Sequence, residues 1–138
     1  MTEWRLTSID ITDDTFILSN PASVASVVRD QERWRRWWPD RVLTVYSDRG
    51  DKGMRWTVSG ELVGSSEIWI EESAPGVIVH YYLRVDPTNE GSSLLRRELT
   101  GSPRAQRYLA KVRHRQVTSW KRIIWQIKDE LEGARGST

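Results

Sequence analysis

PRAQRYLAKVRHRQVTSWKRIIWQIKDEL, residues 103–131, is the stretch whose reading decides the fold. Leu109, Val112, Gln116, Trp120, Ile123, Ile127 and Leu131 recur at steps of three and four, which places them on one stripe of an α-helix. The spacing predicts a helix from Pro103 to about Leu131, some 40 Å long at about 1.5 Å per residue. Arg104, Arg107, Lys111, Arg113, Arg115, Lys121 and Arg122 fall on its other sides, and Gly133 stands just past its expected end. A helix of that length with one apolar stripe calls for an extended surface to lie against.

That surface is legible upstream. Met54, Trp56 and Val58 alternate with Arg55, Thr57 and Ser59, the period of two of a half-buried strand. Val42–Ser47 precedes it across the turn-forming Asp48-Arg49-Gly50-Asp51, and Glu61–Glu71 and Val77–Asp86 continue an antiparallel meander. A turn around Ala74-Pro75 sets Ile70 opposite Val79 and Ile68 opposite Tyr81 on one face. The other face then pairs Glu67 with Tyr82, Trp69 with His80 and Glu71 with Ile78. A three-residue turn centred on Gly60 opposes Val58 to Leu62 and Trp56 to Gly64, which keeps Met54, Trp56, Val58, Leu62, Ile68 and Ile70 on one surface.

Farther toward the N-terminus, Trp4 to Leu18 reads as extended with a polar break at Asp13-Asp14. Asn20-Pro21 pairs an N-cap with a proline at the first helical position and opens a short helix to about Arg29. Asp30 caps a second, carrying Trp34, Trp37 and Trp38, which Pro39 stops. Residues 87–102 are polar and turn-rich and read as loop, with 93–99 as the place where a further strand could hide.

Composition narrows the function classes. The 138 residues suit one domain, expected over 1–133 with a flexible tail at 134–138. The absence of cysteine excludes disulfides, thiolate nucleophiles and cysteine zinc sites, and the two histidines lie far apart without a metal motif, so neither cofactor nor metal is expected. No apolar run reaches the roughly 18 residues of a membrane span, and no secretory signal opens the chain, so a cytoplasmic protein is expected. The net charge of +2 is uneven: residues 1–95 carry −5 and residues 96–138 carry +7. The basic helix 104–122 is therefore a candidate surface for an anionic partner, although a solvated helix face accounts for it equally and too few aromatics interleave to favour nucleic acid.

Taken in order (strand, two short helices, meander, long terminal helix), the chain resembles the helix-grip superfamily that includes START domains and the birch-pollen-allergen proteins. Its polyketide cyclase/dehydrase-like branch is the most similar. Asn20-Pro21-Ala22-Ser23-Val24 resembles the proline-led first helix of that family, and Asp30 through Trp37-Trp38-Pro39 its second. Gly64 to Trp69, followed by Gly76 to Tyr82, is similar to its late hairpin, with Trp120-Lys121-Arg122 in the matching terminal helix. The resemblance implies an α+β helix-grip fold: a curved antiparallel sheet of five to seven strands, two short helices and a long C-terminal helix. It further implies a hydrophobic pocket between sheet and helix. Five strands are legible where the family usually has six or seven.

On that reading the candidate ligand-binding residues are Met54, Trp56, Ile68, Ile70, Val79, Tyr81, Leu83, Val112, Gln116 and Trp120, with Trp34 and Trp38 as a candidate gate. Against the gate stands the commoner role of anchoring the short helix to the core, which suits Trp34 and Trp37 better and leaves Trp38 open. The occupant would be an apolar small molecule, lipid-like, polyketide-like or aromatic. A filled core is the alternative, since interiors normally pack tightly. A cyclase or dehydratase using the same pocket would need a polar pair, for which Tyr81 with Gln116 or Arg55 is the candidate. His80, diagonal to Glu67 and Glu71, could serve as a general base but belongs to the face away from the grip. On that same face Trp69, Ile78 and Tyr82 form a candidate homodimer patch, and His114 is expected in solvent.

Overall fold

The computed structural model describes residues 7–89, 93–99 and 101–136, with side chains described through Gly133. Trp4, Met1 and the remaining N-terminal part of the first extended stretch lie outside the described residues, as does the end of the expected tail, 137–138. The architecture is α+β. Strand β1 (Ile9–Ile17) leads to helices α1 (Pro21–Val28) and α2 (Gln31–Trp37). Strands β2 (Arg41–Asp48), β3 (Gly53–Gly60), β4 (Leu62–Ser73) and β5 (Gly76–Pro87) follow, and α3 (Pro103–Gly136) closes the chain. All strands pair antiparallel in one five-stranded sheet of order β1-β5-β4-β3-β2.

Local chemistry sets the helix starts as the sequence foretold. The Asn20 side chain accepts from the Ser23 N–H at 2.8 Å, and Asp30 accepts from the Glu32 N–H at 3.0 Å, each satisfying a donor the first turn leaves orphaned. Trp34 fastens α2 to α1 by donating its indole N–H to the Val28 carbonyl at 2.7 Å. The α3 stripe is as expected, with Ile124 added to the buried set. The helix, however, runs through Gly133 to Gly136, past the boundary expected for the domain. A glycine costs a helix interior only about 1 kcal/mol, too little to stop a helix this well anchored.

The β4–β5 register is the expected one at all five positions, Glu67↔Tyr82 through Glu71↔Ile78. The β3–β4 register differs by two residues: Val58 opposes Gly64 and Trp56 opposes Ser66. Gly60 does not turn the chain, because it stays in β3 opposite Arg41 of β2. It is also held from the far side, donating to the Ser93 carbonyl at 3.0 Å and accepting from the Thr88 hydroxyl at 2.8 Å. The turn is pushed on by one residue, to centre on Glu61 between β3 and β4. A shift of two leaves every side chain on its face, so the apolar surface is unchanged. The break expected at Asp13-Asp14 is absent too, since β1 runs straight through both. Among the described residues 93–99 holds a single bridge, Arg96 to Thr88, and no sixth strand.

Candidate functional site

Sheet and α3 bring all ten expected ligand-binding residues together, and there they fill the space. Met54, Trp56, Ile68, Ile70, Val79, Tyr81, Leu83, Val112, Gln116 and Trp120 are each almost wholly buried. The filling is aromatic. Trp38 stacks on Tyr81 with ring centroids 6.4 Å apart, and Tyr81 stacks on Trp120 at 3.9 Å, both nearly parallel. Trp34 and Trp38 meet Trp56 edge-on at 5.3 and 6.1 Å, so the two candidate gate residues are packed into the core and stand at no rim. Trp37 is half-buried against Trp38.

Both ends of this stack are polar. At one end the Trp120 indole donates to Asp13 at 2.9 Å, and Lys121 pairs with the same carboxylate. Burial alone would raise the Asp13 pKa, but the hydrogen bonds from Lys121, Trp120 and Thr15 prevail and hold it below the ordinary carboxylate value. At the other end the Arg41 guanidinium lies 5.6 Å from the Trp38 ring centroid. Its side chain is only 2% exposed. Arg41 donates to both oxygens of Asp40, at 2.8 and 3.2 Å, and to the Gln116 carbonyl oxygen, while the Gln116 amide donates back to Asp40 at 3.0 Å. Burial opposes the Asp40 charge, yet Arg41 and Gln116 outweigh it and keep that pKa low. Burial pushes the Tyr81 phenol up, opposed in part by the neighbouring Arg41 charge.

Gln116 thus has a partner set that sequence reasoning missed. Asp40 and Arg41 sit directly after Pro39, at the α2–β2 junction, and nothing in local periodicity says that an arginine there turns inward. The signal available was the polar Gln116 in an otherwise apolar helical stripe, which demands buried partners.

The Asp40–Arg41–Gln116 cluster forms the inner wall of a cleft of about 680 Å³ at the open end of the grip. The start of β2, the end of β3, the start of β4 and the end of β5 meet the first half of α3 there. Val42, Leu62, Pro87, Tyr108 and Val112 give it apolar walls. Arg115 stands at the mouth, and Arg97 packs over the Tyr108 ring at 4.9 Å. Of the ten expected binding residues only Val112 and Gln116 line it.

On the outer face His80 lies between two carboxylates, Asp14 at 2.6 Å and Glu71 at 2.7 Å, with Trp69 stacked on its ring at 4.6 Å. Glu67, expected beside it, is held instead by Arg49 and Arg55 at 3.3 and 3.2 Å. Arg55 is therefore on the outer face and cannot join Tyr81. Asp14 reaches His80 because β1 pairs with β5, a long-range contact with no local signature. His114 is exposed on α3. Among the described residues no group of three or more metal-ligating side chains comes together, and no helix is long and apolar enough to cross a membrane.

No family model and no curated protein sequence matches the chain. Among solved structures, it is similar to the solution structure of the Aha1 dimer from Colwellia psychrerythraea, with a TM-score of 0.58. The match covers 90% of this chain and 96% of that one at 15% sequence identity. A likeness at that identity speaks to architecture: this chain has an Aha1-like fold, an antiparallel sheet with a long C-terminal helix laid against it.

Proposed function

We propose that the protein binds a small amphipathic molecule in the cleft beside Arg41, not in the aromatic-filled centre of the grip. The observation that carries this reading is the cleft itself. It has the volume usual for small-molecule sites, several hundred Å³, with apolar walls and a few convergent polar groups held rigidly by their own hydrogen bonds. The ligand's apolar part would contact Val42, Leu62, Tyr108 and Val112, and Arg41, Arg115 and Gln116 would orient its polar part. A lipid-like, polyketide-like or aromatic compound fits this description.

Native mass spectrometry of the protein as purified from cells, followed by denaturing extraction, tests it. A bound apolar compound is expected, and its occupancy should fall about tenfold in Val42→Lys. Val42 is 60% exposed on an edge strand, so the substitution alters the cleft wall without opening the core. Equal occupancy in both proteins would place the compound elsewhere.

A second reading concerns self-association. We propose a homodimer through the outer sheet face, where Trp69, Ile78 and Tyr82 are half-buried and Tyr46, 70% exposed, lines the same hollow as Tyr82. Arg55, Arg84 and Glu67 border that hollow, a mixed-charge rim suited to a self-complementary contact. The structurally similar Colwellia protein was solved as a dimer, which supports the reading.

A further inference from the structure

The cleft continues into a second groove of about 520 Å³ between α2 and α3. The two share Pro39, Asp40, Arg41, Glu61, Arg115 and Gln116, so a molecule seated in one extends naturally into the other. The groove adds Arg36, Trp37, His114, Thr118, Ser119 and Arg122. Arg29, Arg33, Arg35, Arg41, Arg49, Arg55, Arg84 and Arg96 each meet a carboxylate. Among the described residues Arg36, Arg97, Arg104, Arg107, Arg113, Arg115 and Arg122 form no such ion pair, and of these Arg36, Arg115 and Arg122 come together in this one groove.

Their arrangement suits one kind of group. Arg115, Ser119 and Arg122 lie at steps of four and three on one face of α3, the two arginines about 10 Å apart along the axis. Side chains that long can converge on a group between them, where the hydroxyls of Ser119 and Thr118 add donors. Arg36 faces them from α2, beside the half-buried Trp37. The groove's lining carries four arginines against Asp40 and Glu61, a formal +2 with His114 neutral. A single carboxylate would leave half of that charge unmet. A phosphate monoester brings a charge of about −1.5 to −2 at pH 7 and enough acceptor oxygens for several guanidinium forks.

We propose that the ligand of the cleft is phosphorylated, its apolar part lying in the cleft and its phosphate in the arginine groove, held by Arg36, Arg115 and Arg122. This rests on the reading of the cleft as the ligand site. The phosphate could belong to a soluble phosphoester or to a lipid headgroup in a membrane, and the chemistry of recognition is the same.

Calorimetric titration with oleoyl lysophosphatidate and with monoolein, an uncharged analogue of the same chain, separates the claims. The phosphorylated probe is expected to bind at least about tenfold more tightly. In the double variant Arg36→Gln/Arg122→Gln that preference should collapse while monoolein affinity stays unchanged and Tm moves little, because neither arginine forms an ion pair and the Arg36 charge is felt only by the exposed Glu130. Equal binding of both probes to the wild-type protein overturns the phosphate site and leaves the cleft standing. Binding of neither overturns the cleft and the phosphate site together. A preference that survives the double substitution overturns the assignment to these arginines. Sedimentation with phosphatidylcholine vesicles containing phosphatidic acid identifies the source. Co-sedimentation lost in the double variant points to a membrane lipid, and lysophosphatidate binding without co-sedimentation points to a soluble phosphoester. Vesicle binding with no preference between the two soluble probes overturns the site in favour of a diffuse surface attraction.

Discussion

At the residue scale, Arg41 is the position where the most is at stake. A guanidinium taken almost wholly out of water is tolerable only because Asp40 and Gln116 satisfy it and Trp38 offers the face of its ring. Removing one member of a buried ion pair leaves the other uncompensated, at a cost of about 3 kcal/mol. Asp40→Ala is therefore expected to lower the unfolding free energy by about that amount in urea titrations. Arg35–Glu32 has the same 2.8 Å contact but is largely exposed on both sides, and Glu32→Ala should change stability very little. Comparable losses in the two variants would show that Arg41 is solvated in solution. Because the Asp40 pKa is lowered on folding, its contribution is present above the ordinary carboxylate value. It fades as pH falls through the lowered one.

At the element scale, the three-strand run β1-β5-β4 carries an ionisable ladder on its outer face. Asp14, His80 and Glu71 come from the three strands in turn, with Trp69 covering the imidazole. Burial works against the charged imidazole, but hydrogen bonds to Glu71 and Asp14 outweigh it and raise the pKa above the ordinary histidine value. A pKa raised on folding gives stability that is fully present below the ordinary value and is lost as pH rises through the raised one. Wild type should therefore exceed His80→Gln in stability on the acid side of that window, and the gap should narrow across it. Parallel denaturation series at several pH values, alongside an NMR titration of the ring, measure both quantities. A constant gap would mean that folding leaves the His80 pKa unshifted.

At the scale of the whole molecule, the sheet has one face sealed by α1, α2 and α3 and one face open. The sealed side is packed with rings, so the proposed binding falls to the cleft at the grip's end and the proposed association to the open side. Trp69→Glu places a charge at the centre of the outer patch and is expected to convert a dimer to monomer in sedimentation equilibrium. A wild-type protein that is monomeric at all concentrations removes that interface.

How much of this the amino-acid order determined can be judged element by element. Period two and period 3.6 sufficed for the strands and the long helix, because side-chain direction is set by backbone geometry a few residues at a time. The β4–β5 register followed as well, since a slip of one residue would have put Ile68 and Ile70 in water. The β3–β4 turn did not follow: Gly60 is held by Arg41, Ser93 and Thr88, three contacts from outside its own hairpin. The same holds for the site. Inward-facing residues were legible, but whether they enclose a cavity depends on how Trp38, Tyr81 and Trp120 stack, and that is decided by packing volume between distant segments. Asp40, Arg41 and the unpaired Arg36, Arg115 and Arg122 acquire their meaning only when α2 and α3 are brought together, because charge and burial belong to a place in space and not to a position in the chain.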